Sequence, residues 1–227
     1  EGFGVNNMSY DVSTGWGVRV GWMKSLNDRV TVGVTYASRT YMSEFDDYAN
    51  LFAEQGDLDI PANYAVGIKV KLTPKTLVAF DIMRIEYGDV RAIANKINES
   101  GNLGTDDGRG FGWEDQTVIK LGVSWKYTDE LTFRAGFNHG DNQIPKDQVL
   151  FNMLAPAVVE DHLTLGASYI FSETMELSMS YVHAFENIIT GQSPFQPAGS
   201  DPALPPIDNA SLGMKQNSIG ATLGIKF

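Results

Sequence analysis

The 227-residue chain contains no cysteine. Disulfide scaffolds, cysteine-ligated zinc and thiol catalysis are thereby excluded. No apolar run reaches the length of about eighteen residues that a transmembrane helix needs. Basic residues are scarce, 17 Lys and Arg against 28 Asp and Glu, for a formal net charge of −11. A phosphate backbone is bound by a basic surface, so nucleic acid is not an expected partner. The histidines are His139, His162 and His183, none of them in an HExxH helix, and no metal site is expected. Ser168 and Ser180 stand on predicted strands without a GxSxG elbow. The glycine-rich stretch 104–112 follows no strand-to-helix pattern, and Asp106-Asp107-Gly108 lacks the ligand spacing of an EF-hand loop. These absences predict a protein that is not an enzyme and needs no cofactor.

What is present points to a folded β protein. Hydrophobic residues make up 43% and charged residues 20%, which is not the composition of a disordered chain. Mean hydropathy is near neutral, as expected where apolar and polar residues alternate across a transmembrane barrel. Trp16, Val18, Val20 and Trp22 alternate with Gly15, Gly17, Arg19 and Gly21. The same period recurs through Val30–Tyr36, Tyr64–Leu72, Val78–Ile82, Ile119–Trp125, Leu131–Phe137, Leu163–Phe171, Met175–Tyr181 and Ile219–Phe227. The pattern predicts nine strands and no long amphipathic helix. The strand near 77–87 is the least regular, because Leu77, Met83, Ile85 and Tyr87 compete for the apolar face, and a bulge is one reading of it.

The two faces of these strands differ in chemistry. One carries uncharged apolar residues with large aromatics near the strand ends: Trp22, Trp125, Phe171 and Phe227 at one end, Tyr36, Phe137 and Tyr181 at the other. Interfacial aromatic girdles have this distribution. The other face holds Gly, Ser and Thr with scattered charges, including Arg19, Arg39, Lys69, Asp81, Lys120, Arg134 and Glu176. At roughly 3.3 Å per residue and a tilt of about 45°, such strands cross a hydrocarbon layer. A soluble sandwich would carry more Lys and Glu on its open face.

Short links at 26–28, 73–75, 127–130 and 172–174 alternate with long ones at 43–59, 88–115, 139–160 and 186–212. Outer-membrane barrels combine short periplasmic turns with long external loops. On that rule Phe227 lies on the periplasmic side and residues 1–12 lie outside. A complete single-chain bacterial barrel has an even strand number with both ends in the periplasm. The expectation is therefore a single partial antiparallel up-and-down barrel domain over 1–227, lacking strands at its N-terminal side. Glu1 is neither an initiator Met nor the start of a signal peptide, which predicts a processed product or a piece of something longer.

Acidic residues concentrate in the loops. The 43–59 segment holds Glu44, Asp46, Asp47, Glu54, Asp57 and Asp59 without a Lys or Arg. Such clusters are solvated surface, or they bind divalent cations that bridge to lipopolysaccharide. Phe45, Tyr48, Leu51 and Phe52 recur at helical spacing inside this acidic loop, and apolar side chains there need a partner. They predict either a short helix packed on the barrel rim or an apolar groove that receives a hydrophobic ligand.

Several motifs resemble a known family. Phe133-Arg134-Ala135-Gly136-Phe137 is followed by Ile144-Pro145-Lys146-Asp147, Asn152-Met153-Leu154-Ala155-Pro156-Ala157 and Asp161-His162-Leu163-Thr164-Leu165-Gly166-Ala167. Upstream stand Ile60-Pro61-Ala62, and Asp81 ahead of Tyr87. This order resembles the late strands of the outer-membrane long-chain fatty acid and aromatic hydrocarbon transporters (FadL/TodX-like). Ile219, Ala221, Leu223, Ile225 and Phe227 fit the C-terminal signal read by the outer-membrane assembly machinery, a feature general to such barrels.

The resemblance implies a fourteen-stranded barrel, monomeric when full length, of which this chain supplies the last nine strands without the N-terminal plug. It implies passive uptake of hydrophobic small molecules through the outer membrane, with lipid and lipopolysaccharide around the barrel. It also implies an external hydrophobic groove to which the 43–59 loop contributes Phe45, Tyr48, Leu51 and Phe52. For a ligand carboxylate the candidates are Arg19, Arg39, Lys120 and Arg134, whose other role is charge pairing inside the lumen with Asp81, Glu176 or the plug. A hydrophilic porin-type channel and a structural or adhesion barrel are the competing readings.

Overall fold

Alternation of apolar with small polar residues builds nine strands, each hydrogen-bonded to its sequence neighbours in one antiparallel sheet. The computed structural model describes residues 10–97, 99–192 and 208–226. The strands are β1 (Arg19–Ser25), β2 (Val30–Ala37), β3 (Asn63–Thr73), β4 (Thr76–Ile85) and β5 (Gln116–Lys126). They continue as β6 (Leu131–Gly140), β7 (Asp161–Ser172), β8 (Met175–Gln192) and β9 (Asp208–Ile225). The order is an up-and-down meander with β1 at one edge and β9 at the other. All the long connections therefore emerge at one end of the sheet and the tight turns at the other.

Register sorts the side chains into rows. Ile68, Phe80, Leu121, Phe137 and Leu163 stand opposite one another across five strands. The next apolar row is Val70, Val78, Val123, Ala135, Leu165, Tyr181 and Ile219. On the other face Gly67, Asp81, Lys120, Asn138 and His162 form a polar row. The apolar rows have no protein cover: Leu121 is 48% exposed and Leu165 47%. An uncovered apolar face of this extent is the surface a barrel presents to lipid.

The buried core lies instead in the long connections and the extended ends of β8 and β9, which pack together as a cap over one end of the sheet. Its centre is Ile144, Val149, Val158, Ile189 and Leu212, with Trp113 and Ala210 against it.

Three local expectations change. β8 and β9 run eighteen residues each, so residues 186–192 and 208–212 of the segment expected as a loop continue the two strands. A bulge between Ala184 and Asn187 shifts the register there and breaks the alternation that marks the strand in the sequence. The first strand of the sheet begins at Arg19, while Gly15–Trp16 pairs separately with Tyr41–Met42. The Ser38 hydroxyl takes the hydrogen bond of the Val18 amide at 2.9 Å, which separates the two segments. β4 carries no bulge; it stays in register with β5 throughout and with β3 from Leu77 to Ile85, with Leu77, Met83 and Ile85 in line with Asp81 on the polar face. Phe227 and residues 1–9 lie outside the described residues, as does the whole segment 193–207.

Candidate ligand site

Between β2 and β3 the chain makes two tight turns that gather the aromatic residues of the acidic loop. The Tyr48 amide donates to the Phe45 carbonyl at 3.0 Å, and the Leu51 and Phe52 amides donate to Tyr48 O at 2.9 and 3.2 Å. The Phe45, Tyr48 and Phe52 ring centroids consequently lie 6.1 to 6.4 Å apart. The three rings and Leu51 are half-buried. The loop thus offers one apolar cluster to solvent inside a carboxylate-rich rim.

A left-handed turn follows directly. Glu54 and Gln55 have φ of 59° and 58°, and Gly56 has φ of 103°. A non-glycine residue in such a region costs about 1–3 kcal/mol, so the two together need outside support. Gly56 accepts from the Phe45 amide at 2.9 Å, and a Cβ on Gly56 would lie 2.4 Å from Phe45 O. Only glycine lets the turn close against Phe45. The support comes from the 88–115 connection. Gly104 O accepts from the Gln55 amide at 2.8 Å and from its Nε2 at 3.1 Å, Nε2 also donates to Asp106 Oδ1 at 3.0 Å, and Arg91 pairs with Glu54 at 3.4 Å.

Beneath the turn lies a charged knot. Asp59 is 2% exposed and accepts from the Met42 amide at 2.5 Å and from Arg39 Nε. Arg39 also donates through Nη1 to Asp89 O at 2.9 Å and sits 5.6 Å over the Tyr41 ring. Burial, together with the hydrogen bond and charge of Asp59 and the charge of Glu54, pushes the Asp57 carboxyl up to about 6 against the pull of Arg39. Asp57 Oδ1 is buried without a hydrogen-bond partner. Asp59→Ala is expected to leave Arg39 and the Met42 amide without their acceptor. Arg39 keeps some solvent contact, so the cost is set at about 2 kcal/mol, roughly a thirtyfold faster amide exchange at Thr40 and Met42. Unchanged exchange at those amides would show that Asp59 does not hold this loop.

The cationic candidates are not brought together. Arg39 is held in the cap by Asp59. Arg134 Nη1 donates to Ser168 Oγ at 2.6 Å, Ser168 Oγ lies 2.7 Å from Ser178 Oγ, and Ser178 Oγ donates to Glu176 at 3.2 Å, so a hydroxyl pair links this cation to a carboxylate. Arg19 stands exposed at the start of β1 opposite Ala37, with no ion pair among the described residues. Lys120 stands between Asp81 and Asn138 in the polar row, its Nζ 3.8 Å from Met83 Sδ.

A second aromatic group escaped the sequence reading. Tyr87 meets Trp113 edge-on at 5.0 Å, and Phe111 lies 6.1 Å from Trp113 and 5.2 Å from Phe151. The signal that flags Phe45, apolar side chains in a loop rich in carboxylates, was available for Phe111 and Trp113 as well. This group is locked by Asn152, which is fully buried and bonds Trp113 Nε1, Phe111 O and Gln148 O.

Comparison with known proteins gives a consistent set. A family model described as outer membrane protein transport protein (OMPP1/FadL/TodX) matches residues 4–205. The structure is similar to the toluene transporter TodX of Pseudomonas putida, with a TM-score of 0.60 and 18% identity, covering 95% of this chain and 50% of that one. It is similar to the toluene transporter TbuX of Ralstonia pickettii, with a TM-score of 0.56 and 15% identity, covering 93% and 48%. A FadL homologue of Pseudomonas aeruginosa gives a TM-score of 0.59 and 15% identity over 91% and 50%. The chain spans about half the length of these solved structures. Among curated proteins none matches.

Proposed function

Since the chain belongs to the outer membrane protein transport protein (OMPP1/FadL/TodX) family, whose members are integral β-barrels of the outer membrane, we propose that it forms part of a barrel for passive uptake of hydrophobic small molecules. The ligand class is a long-chain fatty acid or an aromatic hydrocarbon; TodX and TbuX are toluene transporters. The observation that carries the reading is the half-buried cluster of Phe45, Tyr48 and Phe52, with Leu51 beside it, held in an acidic loop at the cap end of the sheet.

Capture needs no covalent chemistry. An apolar ligand leaves water for the ring cluster, gaining about 25 cal/mol per Å² of apolar surface buried, and moves on to a more apolar interior. The acidic rim repels anions, a fatty-acid carboxylate included, and acts little on a neutral hydrocarbon. For a ligand carboxylate, Arg19 and Lys120 are favoured over Arg39, whose charge is answered by Asp59, and over Arg134, whose Nη1 is engaged by Ser168. The long connections face the exterior on this reading, the cap is surrounded by lipopolysaccharide, and the C-terminal strand serves recognition by the assembly machinery. The full-length protein acts as a monomer.

The test is made on the full-length protein. Reconstituted in vesicles, it is expected to accelerate uptake of radiolabelled toluene or a long-chain fatty acid. In a planar bilayer it is expected to pass no steady ionic current. A sustained open-channel current would replace this reading with a hydrophilic pore.

A further inference from the structure

We propose that the left-handed turn Glu54–Gly56 is a strained latch between two cap loops, with Gln55 as the positioning residue that keeps the Phe45/Tyr48/Phe52 cluster in its capturing arrangement. The inference rests on the capture reading above for its consequence, but not for its geometry.

Two consecutive non-glycine residues at φ near +58° do not hold that conformation by themselves. One side of the turn is gripped from outside the loop. Gln55 reaches Gly104 through both its amide and its side chain, reaches Asp106 as well, and Arg91 takes Glu54. The grip depends on a close approach of the second loop. A Cβ on Gly104 would lie 2.3 Å from Ala49 O, so the two backbones meet where no side chain fits. The other side of the turn is bonded into the ring cluster, through Gly56 N to Phe52 O at 3.2 Å and Phe45 N to Gly56 O at 2.9 Å. A turn gripped at one side and joined to the rings at the other transmits any release directly to the spacing of Phe45 and Phe52.

The residue that follows the turn supplies a bias. Asp57 has an oxygen buried without a partner and is faced by Asp59, Glu54 and Arg39. Of these, Arg39 is committed to Asp59, and Glu54 is answered by Arg91. Neutral Asp57 is tolerated beside Asp59; ionised Asp57 adds a second, partly buried negative charge with no hydrogen bond to its Oδ1. The closed turn therefore binds the Asp57 proton more tightly than an open one. Closure is favoured below the ordinary carboxylate value of 3.8 and weakens as pH rises through about 6.

These 227 residues hold no cysteine. In the full-length protein, with any cysteine elsewhere first replaced by serine, spin labels at Glu44→Cys and Asn102→Cys report the spacing of the two loops. At about pH 5 the native turn is expected to give one narrow distance, which broadens by about pH 7.5; Asp57→Asn keeps it narrow at both. Gln55→Ala loses the side-chain grip while retaining the strain, and is expected to lengthen and broaden the distance. Gln55→Gly loses the same grip but removes the strain, and is expected to restore the native spacing. A residue that merely contributes hydrogen bonds would not be rescued by glycine. With a dansylated undecanoic acid as the probe, Gln55→Ala is expected to lower affinity about tenfold, in proportion to the fraction of closed turn lost. The same distance distribution in the native chain, Gln55→Ala and Gln55→Gly at both pH values would overturn the latch. A distance that responds as described while probe affinity stays constant would leave the latch standing and remove the capture reading instead.

Discussion

Replacing Asn152 with leucine is expected to unlock the cap while leaving the strands in place. Asn152 has no solvent exposure. Its Nδ2 donates to Phe111 O at 2.6 Å and to Gln148 O at 2.9 Å, and its Oδ1 accepts from Trp113 Nε1 at 2.5 Å. Leucine keeps the branching at Cγ, though its side chain is bulkier, and it answers none of them. Two carbonyls and an indole N–H would then be buried without partners, at about 1–3 kcal/mol each. Even with partial relaxation the cap should lose about 3 kcal/mol, a rise of roughly a hundredfold in its opening equilibrium. Amide exchange of the full-length protein in detergent micelles reads this out at Gly112 and Trp113, whose amides bond to Asn95 O and Ile93 O. The central amides of β5 and β6 should not change. Equal protection at Gly112 and Trp113 in both proteins would mean that the cap does not depend on this residue.

The second large effect concerns ligand capture. Phe45→Asp with Phe52→Asp is expected to abolish binding of a hydrophobic probe at the cap while the barrel still assembles. Each ring contributes apolar contact with its neighbours and with a bound ligand, and an aspartate in its place adds a charge to a rim that is already acidic. Losing about 1–2 kcal/mol of contact per ring gives a combined drop of at least thirtyfold in probe affinity. Fluorescence titration with the purified protein measures the affinity, and heat-modifiable migration on a gel verifies that the barrel is intact. Unchanged affinity in an assembled double variant would move the capture site elsewhere in the cap, to the Phe111 and Trp113 group first. Unchanged uptake with failed cell attachment would favour an adhesion barrel.

The strands were legible in the sequence because each position sees one of two environments, and a period of two follows from the pleat itself. Val123 and Trp125 face one way and Gly122 and Ser124 the other, with no need to know what lies across the sheet. The cap was not legible, because its contacts join segments far apart in the chain. Gln55 meets Gly104, Ile97 meets Gln148, and Trp113 meets Asn152. Each contact depends on an uncharged amide side chain, Gln55, Gln148 or Asn152, whose partner no local pattern announces. Arg39 illustrates the limit for the site. Parity places it on the polar face, but the chain leaves the sheet at Ala37, and the Thr40–Ile60 bridge then holds Arg39 close to Asp59. The extension of β8 and β9 was hidden for another reason. A bulge at Ala184–Asn187 resets the alternation, so that the buried pair Ile189 and Leu212 falls out of phase with Tyr181.

The meander order has a consequence for how the wall is made. Among the described residues every ladder of the nine-stranded sheet joins strands adjacent in sequence, so within this stretch no strand must wait for a distant partner, and each hairpin can form as a local event at small entropic cost. The wall can be laid down in sequence, one strand templating the next. The slow events belong to the other end of the molecule. Gln55 with Gly104, and Asn152 with Trp113, close large loops and have geometry to find only after β3 through β6 stand in register. The cap is accordingly the last part to be ordered and the first to be released, so its fluctuations run on their own clock while the wall stays fixed.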